Sequence, residues 1–216
     1  MSRRLSRIAA AACGLILAAG TAKADTEAYK IDPSHSQVGF TIRHFFSKVS
    51  GKFKTYEGVI MMDPKDLSKT TVEVTIDTAS IDTGNGDRDS HLQSPDFFDA
   101  AKFPKITFKS TGVTGQGTTK ATLKGDLTMH GVSKPVSLDA EVLGFSADPW
   151  GNYRGGFEAK TKINRQDFGV SWNKVLEGGG SLLGDDVEIT IDVEGVREAP
   201  KAPKPAAPPA EPPKKK

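Results

Sequence analysis

Four histidines, His35, His44, His91 and His130, are the side chains of this 216-residue chain best suited to proton transfer or metal ligation near neutral pH. Zinc sites usually take two ligands from within a few residues of each other. None of the four has another His or Cys at that spacing, so no metal site is predicted. Asp87-Arg88-Asp89-Ser90-His91 gathers the residue types of a hydrolase, with His91 as base and Asp87 or Asp89 to orient it. Triads are defined by geometry in the fold, and no nucleophile elbow accompanies this segment. The favoured reading gives these residues to caps and ion pairs and predicts no catalytic residue. A hydrolase using His91 stays as the alternative. Gly84-Asn85-Gly86 reads as a turn, without the helix of a phosphate-binding loop behind it.

These candidates lie in an insert, Ser80 to Ser110, that interrupts a series of strand-like runs. The pattern predicts a short polar helix near Asp87 to Phe98, capped by Asp87 or Asp89. Ser94-Pro95-Asp96 reads as a second cap, with proline at the first helical position. Phe97, Phe98 and Phe103 give the insert an apolar side. Two readings stand together: a lid over an opening, or a loop plugging one end of a packed core.

About eight runs alternate apolar and polar residues. Val38, Phe40 and Ile42 form one, followed by the longer Phe53 to Met62 run. Val72, Val74 and Ile76 precede the insert, and Ile106 and Phe108 follow it. Leu123, Leu127 and Met129 share a face with Gly125, and Val136, Leu138, Ala140 and Val142 share the next. Phe157, Ala159, Thr161 and Ile163, then Val187, Ile189, Ile191 and Val193, complete the set. Period two with charged alternate positions gives each strand one dry and one wet face. The wet faces carry Lys, Glu and Asp, which excludes a membrane-spanning barrel with its apolar outer band. Turn signals such as Asp63-Pro64, His130-Gly131 and Asp148-Pro149 separate the runs, so an all-β antiparallel barrel or sandwich is predicted.

The ends differ from the body. Residues 1 to 24 hold four basic residues and no acid, with an apolar core Ile8 to Gly20 and Ala22-Lys23-Ala24 after it. They read as a cleaved signal peptide, which predicts export to the periplasm. The remaining chain has no cysteine and so no disulfide. Residues 25 to 198 carry 20 Lys/Arg against 26 Asp/Glu, an acidic balance that argues against nucleic acid as partner. Residues 199 to 216 form a Pro/Ala/Lys-rich tail that cannot enter a core.

Several segments together resemble the YceI-like family of secreted, lipocalin-like isoprenoid-binding proteins. They are Tyr29-Lys30-Ile31-Asp32-Pro33-Ser34-His35-Ser36, Ser80-Ile81-Asp82-Thr83-Gly84, Arg88-Asp89-Ser90-His91-Leu92 and Pro95-Asp96-Phe97-Phe98-Asp99. Gly125-Asp126-Leu127-Thr128-Met129-His130-Gly131-Val132 and Ile163-Asn164-Arg165-Gln166-Asp167-Phe168-Gly169-Val170 complete the ordered set. The resemblance implies an eight-stranded antiparallel lipocalin-like barrel with a short helical insert. It also implies an apolar cavity for a polyisoprenoid, a quinone-like lipid or a similar amphiphile, and no other cofactor.

On that reading the alternate strand faces supply the lining: Phe40, Ile42, Val74, Ile76, Phe108, Leu127, Leu138, Phe157, Ile163, Ile189 and Ile191. Phe97 and Phe98 cover the mouth, and Arg88 and His91 hold the insert or meet a polar head group. Transport, storage, envelope stress response and a purely structural role are all left open. So are transient contact with a membrane surface and a homodimer.

Overall fold

The computed structural model describes residues 26–116 and 119–199. The signal segment and the Pro/Ala/Lys-rich tail lie outside the described residues, apart from Ala199. The first two barrel strands are each broken once. β1 (Glu27–Ile31) and β2 (Gln37–His44) are separated by a turn of 3-10 helix at Pro33–His35, and β3 (Ser47–Phe53) and β4 (Tyr56–Asp63) by a short kink. β5 (Asp66–Asp77) is followed by the two-residue β6 (Ile81–Asp82), then helix α1 (Gly86–Gln93). β7 (Lys105–Gln116), β8 (Lys120–Met129), β9 (Val132–Ala147), β10 (Tyr153–Asn164) and β11 (Leu183–Arg197) complete the chain.

Each strand pairs antiparallel with its neighbours. β11 closes the sheet by bonding β2 along its first part and β1 at its end, so the barrel has eight strands once the broken pairs are joined. The sequence pattern gives that number but misses β1, whose five residues are too few for a period to register. The register sets the predicted faces opposite one another: Phe40 faces Ile189, Val74 faces Phe108, Phe108 faces Leu127 and Leu123 faces Leu138. All dry faces therefore point to one interior, as strand pairing demands when a single face is buried.

The barrel has unlike ends. One carries the insert, the Phe45-Phe46 and His130-Gly131 hairpin tips, and the long connection from Arg165 to Leu182. The other holds the shorter connections, residues 64–65 and 148–152, together with the end of β7 and the start of β8. At that far end the rings of Tyr29, Phe145 and Phe157 pack together, with centroids 5.4 to 6.0 Å apart. Burial is the first cause, and a hydrogen bond to Glu27 the second, of a Tyr29 phenol held above its ordinary pKa.

The insert departs from its predicted form. Asn85, not Asp87 or Asp89, caps α1: its Oδ1 accepts from the Arg88 backbone N–H at 2.9 Å. Asp87 and Asp89 stand in the first turn, where the helix dipole favours acids. The helix ends at Gln93, and no helix follows Pro95. Ser94 Oγ accepts from the Asp96 N–H in a turn, and the chain reaches Phe103 through further turns with Asp99 at a φ of 46°.

Candidate functional site

The barrel encloses a cavity of about 570 Å³. Its wall is almost wholly aliphatic and aromatic, and all eleven strand residues named above as lining belong to it. Two side-chain arrangements leave the axis open. Phe40 lies against its cross-strand partner Gly51, where a Cβ would come within 2.5 Å of the ring. Phe108 lies over Gly125 on the adjoining strand, where a Cβ would come within 2.4 Å. Glycine here lets a bulky ring fold flat onto the wall instead of projecting inward.

The end with the long connections forms a rim of mixed character. Phe97, only 6% exposed, packs against His91 and Trp172 with ring centroids 5.0 and 5.1 Å apart. His91 meets Trp172 edge-on at 5.1 Å, and Phe98 meets Phe53 edge-on at 6.1 Å. Phe97, Phe98, His91 and Arg88 all line the cavity, so the insert covers this end of it. Arg88 is not paired with a carboxylate among the described ion pairs. Its Nε donates to Thr83 Oγ1 at 2.8 Å and its Nη2 to Thr83 O at 2.9 Å. Asp89 in turn accepts from the Thr83 hydroxyl and backbone N–H, which ties the start of the insert to the helix.

The hydrolase alternative needs His91 to engage Asp87 or Asp89. The structure pairs it elsewhere: Nε2 lies 2.8 Å from Asp96 Oδ2, with both side chains well exposed. Asp89 is committed to Thr83. His35, 2.9 Å from Asp32, lies toward the far end, while His130 contacts Phe103 and the Phe168 carbonyl near the rim. Asp32, His35 and Glu194 come within 4.8 Å of one another, close enough to hold a cation. Arg154 already donates to Asp32 and Glu194, and to Asp148 at 2.7 Å. Its guanidinium is the main cause of the depressed Asp32 and Asp148 carboxyls, so the cluster's negative charge is already met by a protein cation.

Two rim residues were not among the predicted site residues. Arg165, 3% exposed, donates to the carbonyls of Gly184, Val170 and Trp172 at 2.9, 2.6 and 2.9 Å and to Asp185 at 3.2 Å. It thereby shapes the connection that holds Trp172 over the cavity. Burial lowers its pKa, and Asp185 opposes that shift. Both residues lie on or beside an irregular segment with no periodic signal. Trp172 is half-buried, as a rim aromatic must be.

A family model described as the YceI-like domain matches residues 29–195. A UPF0312 protein of Serratia proteamaculans is 45% identical over 186 residues, spanning 85% of this chain and 92% of its own. A crystal structure of a Campylobacter jejuni YCEI protein superposes with a TM-score of 0.63 at 36% identity, covering 73% of this chain and 90% of that one. A polyisoprenoid binding domain from Saccharophagus degradans, implicated in plant cell wall breakdown, shares the fold with a TM-score of 0.60 at 15% identity. That match covers 79% of this chain and 98% of the domain.

Proposed function

Because this chain belongs to the YceI-like family, we propose that it is a binding protein holding a polyisoprenoid or similar long-chain amphiphilic lipid inside the barrel. The observation that carries this reading is the apolar cavity of about 570 Å³. Small-molecule sites usually run from about 300 to 1,000 Å³ and bind mainly through apolar contact, with few polar groups to orient the ligand. Polar side chains at the rim, Arg88 and Thr83 among them, suit a head group left near water while the chain lies within. The polyisoprenoid binding domain of the same fold supports the choice of ligand class.

Solubility supplies the physical motive. Each CH₂ withdrawn from water gains about 0.8 kcal/mol, so a chain of tens of carbons hardly crosses an aqueous compartment unaided. At roughly −0.3 kcal/mol per atom, the roughly 20–30 ligand atoms that a cavity of about 570 Å³ holds give on the order of −6 to −9 kcal/mol, around micromolar affinity. The basic-apolar segment at residues 1–24 supports action after export, in the periplasm. Delivery between membranes is the role we assign. Mass spectrometry of an organic extract from protein purified without detergent tests the binding step. A stoichiometric long-chain lipid is expected. Repeatedly empty extracts, with no uptake of added polyisoprenoid quinone, overturn the reading.

A further inference from the structure

The rim carries an apolar feature that neither folding nor the cavity explains. The β2–β3 hairpin closes with a two-residue loop, Phe45-Phe46, between the paired residues His44 and Ser47. Such loops favour Asn, Asp and Gly, because they require positive φ values. Phe45 adopts a φ of 53°, unfavourable for a bulky side chain. Burial gives little return for this strain: Phe45 is 42% and Phe46 90% exposed, their ring centroids 3.9 Å apart with the planes tilted at 59°. Val175, 81% exposed, stands on the connection beside the tip, to which Phe45 N–H is bonded through the Leu182 carbonyl at 2.7 Å.

The position and the charge around this tip indicate its partner. His44, Leu182 and Leu183, which flank it, line the cavity, so the tip projects beside the covered mouth. Arg43, Lys48 and Lys174 are exposed around it, opposed by Glu177 and by Glu188, which pairs with Lys48. Exposed aromatic residues among cations suit the boundary between lipid head groups and acyl chains, where rings enter the apolar layer and cations meet phosphate. We propose that Phe45 and Phe46 are a membrane anchor that seats the rim on a phospholipid bilayer, so that ligand passes between bilayer and cavity without crossing bulk water. This rests on the lipid-binding reading for its purpose, but the docking itself does not.

The test is co-sedimentation of the protein with phosphatidylcholine vesicles, which carry no net charge to attract the C-terminal lysines. Phe46→Ser, at a position too exposed to matter for folding, is expected to weaken vesicle binding by about ten- to a hundredfold, the partition gain of one Phe side chain. Phe46→Trp is expected to restore it. Trp150→Ser, removing an 82% exposed aromatic at the far end, is expected to change nothing. Transfer of a fluorescent polyisoprenoid from vesicles, measured separately, should slow with Phe46→Ser while the amount held at equilibrium stays the same. Failure of the ligand reading appears as vesicle binding without ligand uptake. The anchor is overturned if the wild-type protein stays in the supernatant when the vesicles are pelleted, if Trp150→Ser rather than Phe46→Ser abolishes binding, or if sedimentation shows a dimer that Phe46→Ser dissolves.

Discussion

Arg154, toward the far end, meets three carboxylates, whereas Arg165, at the rim, meets three backbone carbonyls and one carboxylate. Their side chains are 20% and 4% exposed. At the far end, side-chain charge ties the β1–β2 break, the β9–β10 connection, β10 and β11 together outside a packed aromatic trio. At the rim, a deeply buried cation holds a loop by its backbone, in a pattern no titration of a neighbouring acid can undo. The far end can thus be closed by groups that answer to pH, while the ligand-facing connection keeps its shape and adds little free charge to the opening.

The strongest challenge to that contrast is removal of the rim arginine. Arg165→Met keeps much of the apolar bulk but leaves the Val170, Trp172 and Gly184 carbonyls without their donor. Each unmade buried hydrogen bond costs about 1–3 kcal/mol, so a loss of about 3 kcal/mol or more in urea denaturation is expected. A loss below about 1 kcal/mol would show that the connection holds itself. Gly125→Val probes the wall between the two ends. The new side chain must displace the Phe108 ring, and its Cβ also meets the Lys109 carbonyl at 2.6 Å. Overpacking predicts about 1–3 kcal/mol of destabilisation together with reduced ligand content by mass spectrometry. Full ligand content would show that the flattened ring does not set the cavity's width.

The far end should respond chiefly to acid. Arg154 holds the Asp32 and Asp148 carboxyls below their ordinary range, with His35 and Asn152 next in effect. A carboxyl whose pKa falls on folding stabilises the protein above its unfolded value of about 3.9, and that share is lost as pH falls through the folded value. Stability should therefore fall steeply below about pH 4. Arg154→Met should make that fall shallower while lowering stability at neutral pH, where three carboxylates then lack their cation. Parallel pH curves from urea denaturation of the two proteins would place the acid sensitivity elsewhere.

The strands and their dry faces were legible because they obey one rule, two-residue alternation, along every long strand; barrel rather than sandwich came from the family resemblance. The same rule named eleven wall residues, and the four chosen from the insert also line the cavity. It was silent where geometry depends on a single hydrogen bond or on register. Asn85, Asp87 and Asp89 are all acceptable caps by type, and only the backbone path selects Asn85. Pro95 opens a turn because Ser94, Phe97 and Asp99 close it with local bonds. Gly51 and Gly125 look like ordinary strand glycines until pairing sets a phenylalanine over each. Arg165 and Trp172 act through a loop whose shape no local pattern encodes.

The smallest effect is expected at His91, the residue whose surroundings most resemble chemistry. Its ion pair with Asp96 has side chains 43% and 55% exposed, and exposed pairs contribute about 0–1 kcal/mol. Its edge-on contacts with Phe97 and Trp172 add aromatic packing, partly retained between those two rings when the imidazole is removed, since they touch each other at 5.1 Å. His91→Ala should therefore cost no more than about 1–2 kcal/mol in thermal or urea unfolding. The same change removes a brace between the insert and Trp172, so release of a bound fluorescent polyisoprenoid should quicken. A broad ester and amide hydrolysis screen should give no turnover that depends on His91. Turnover abolished by His91→Ala would reinstate the hydrolase and make the insert a catalytic segment. Unchanged release with a large loss of stability would make it a plug, fixed in place as firmly as the rings at the far end.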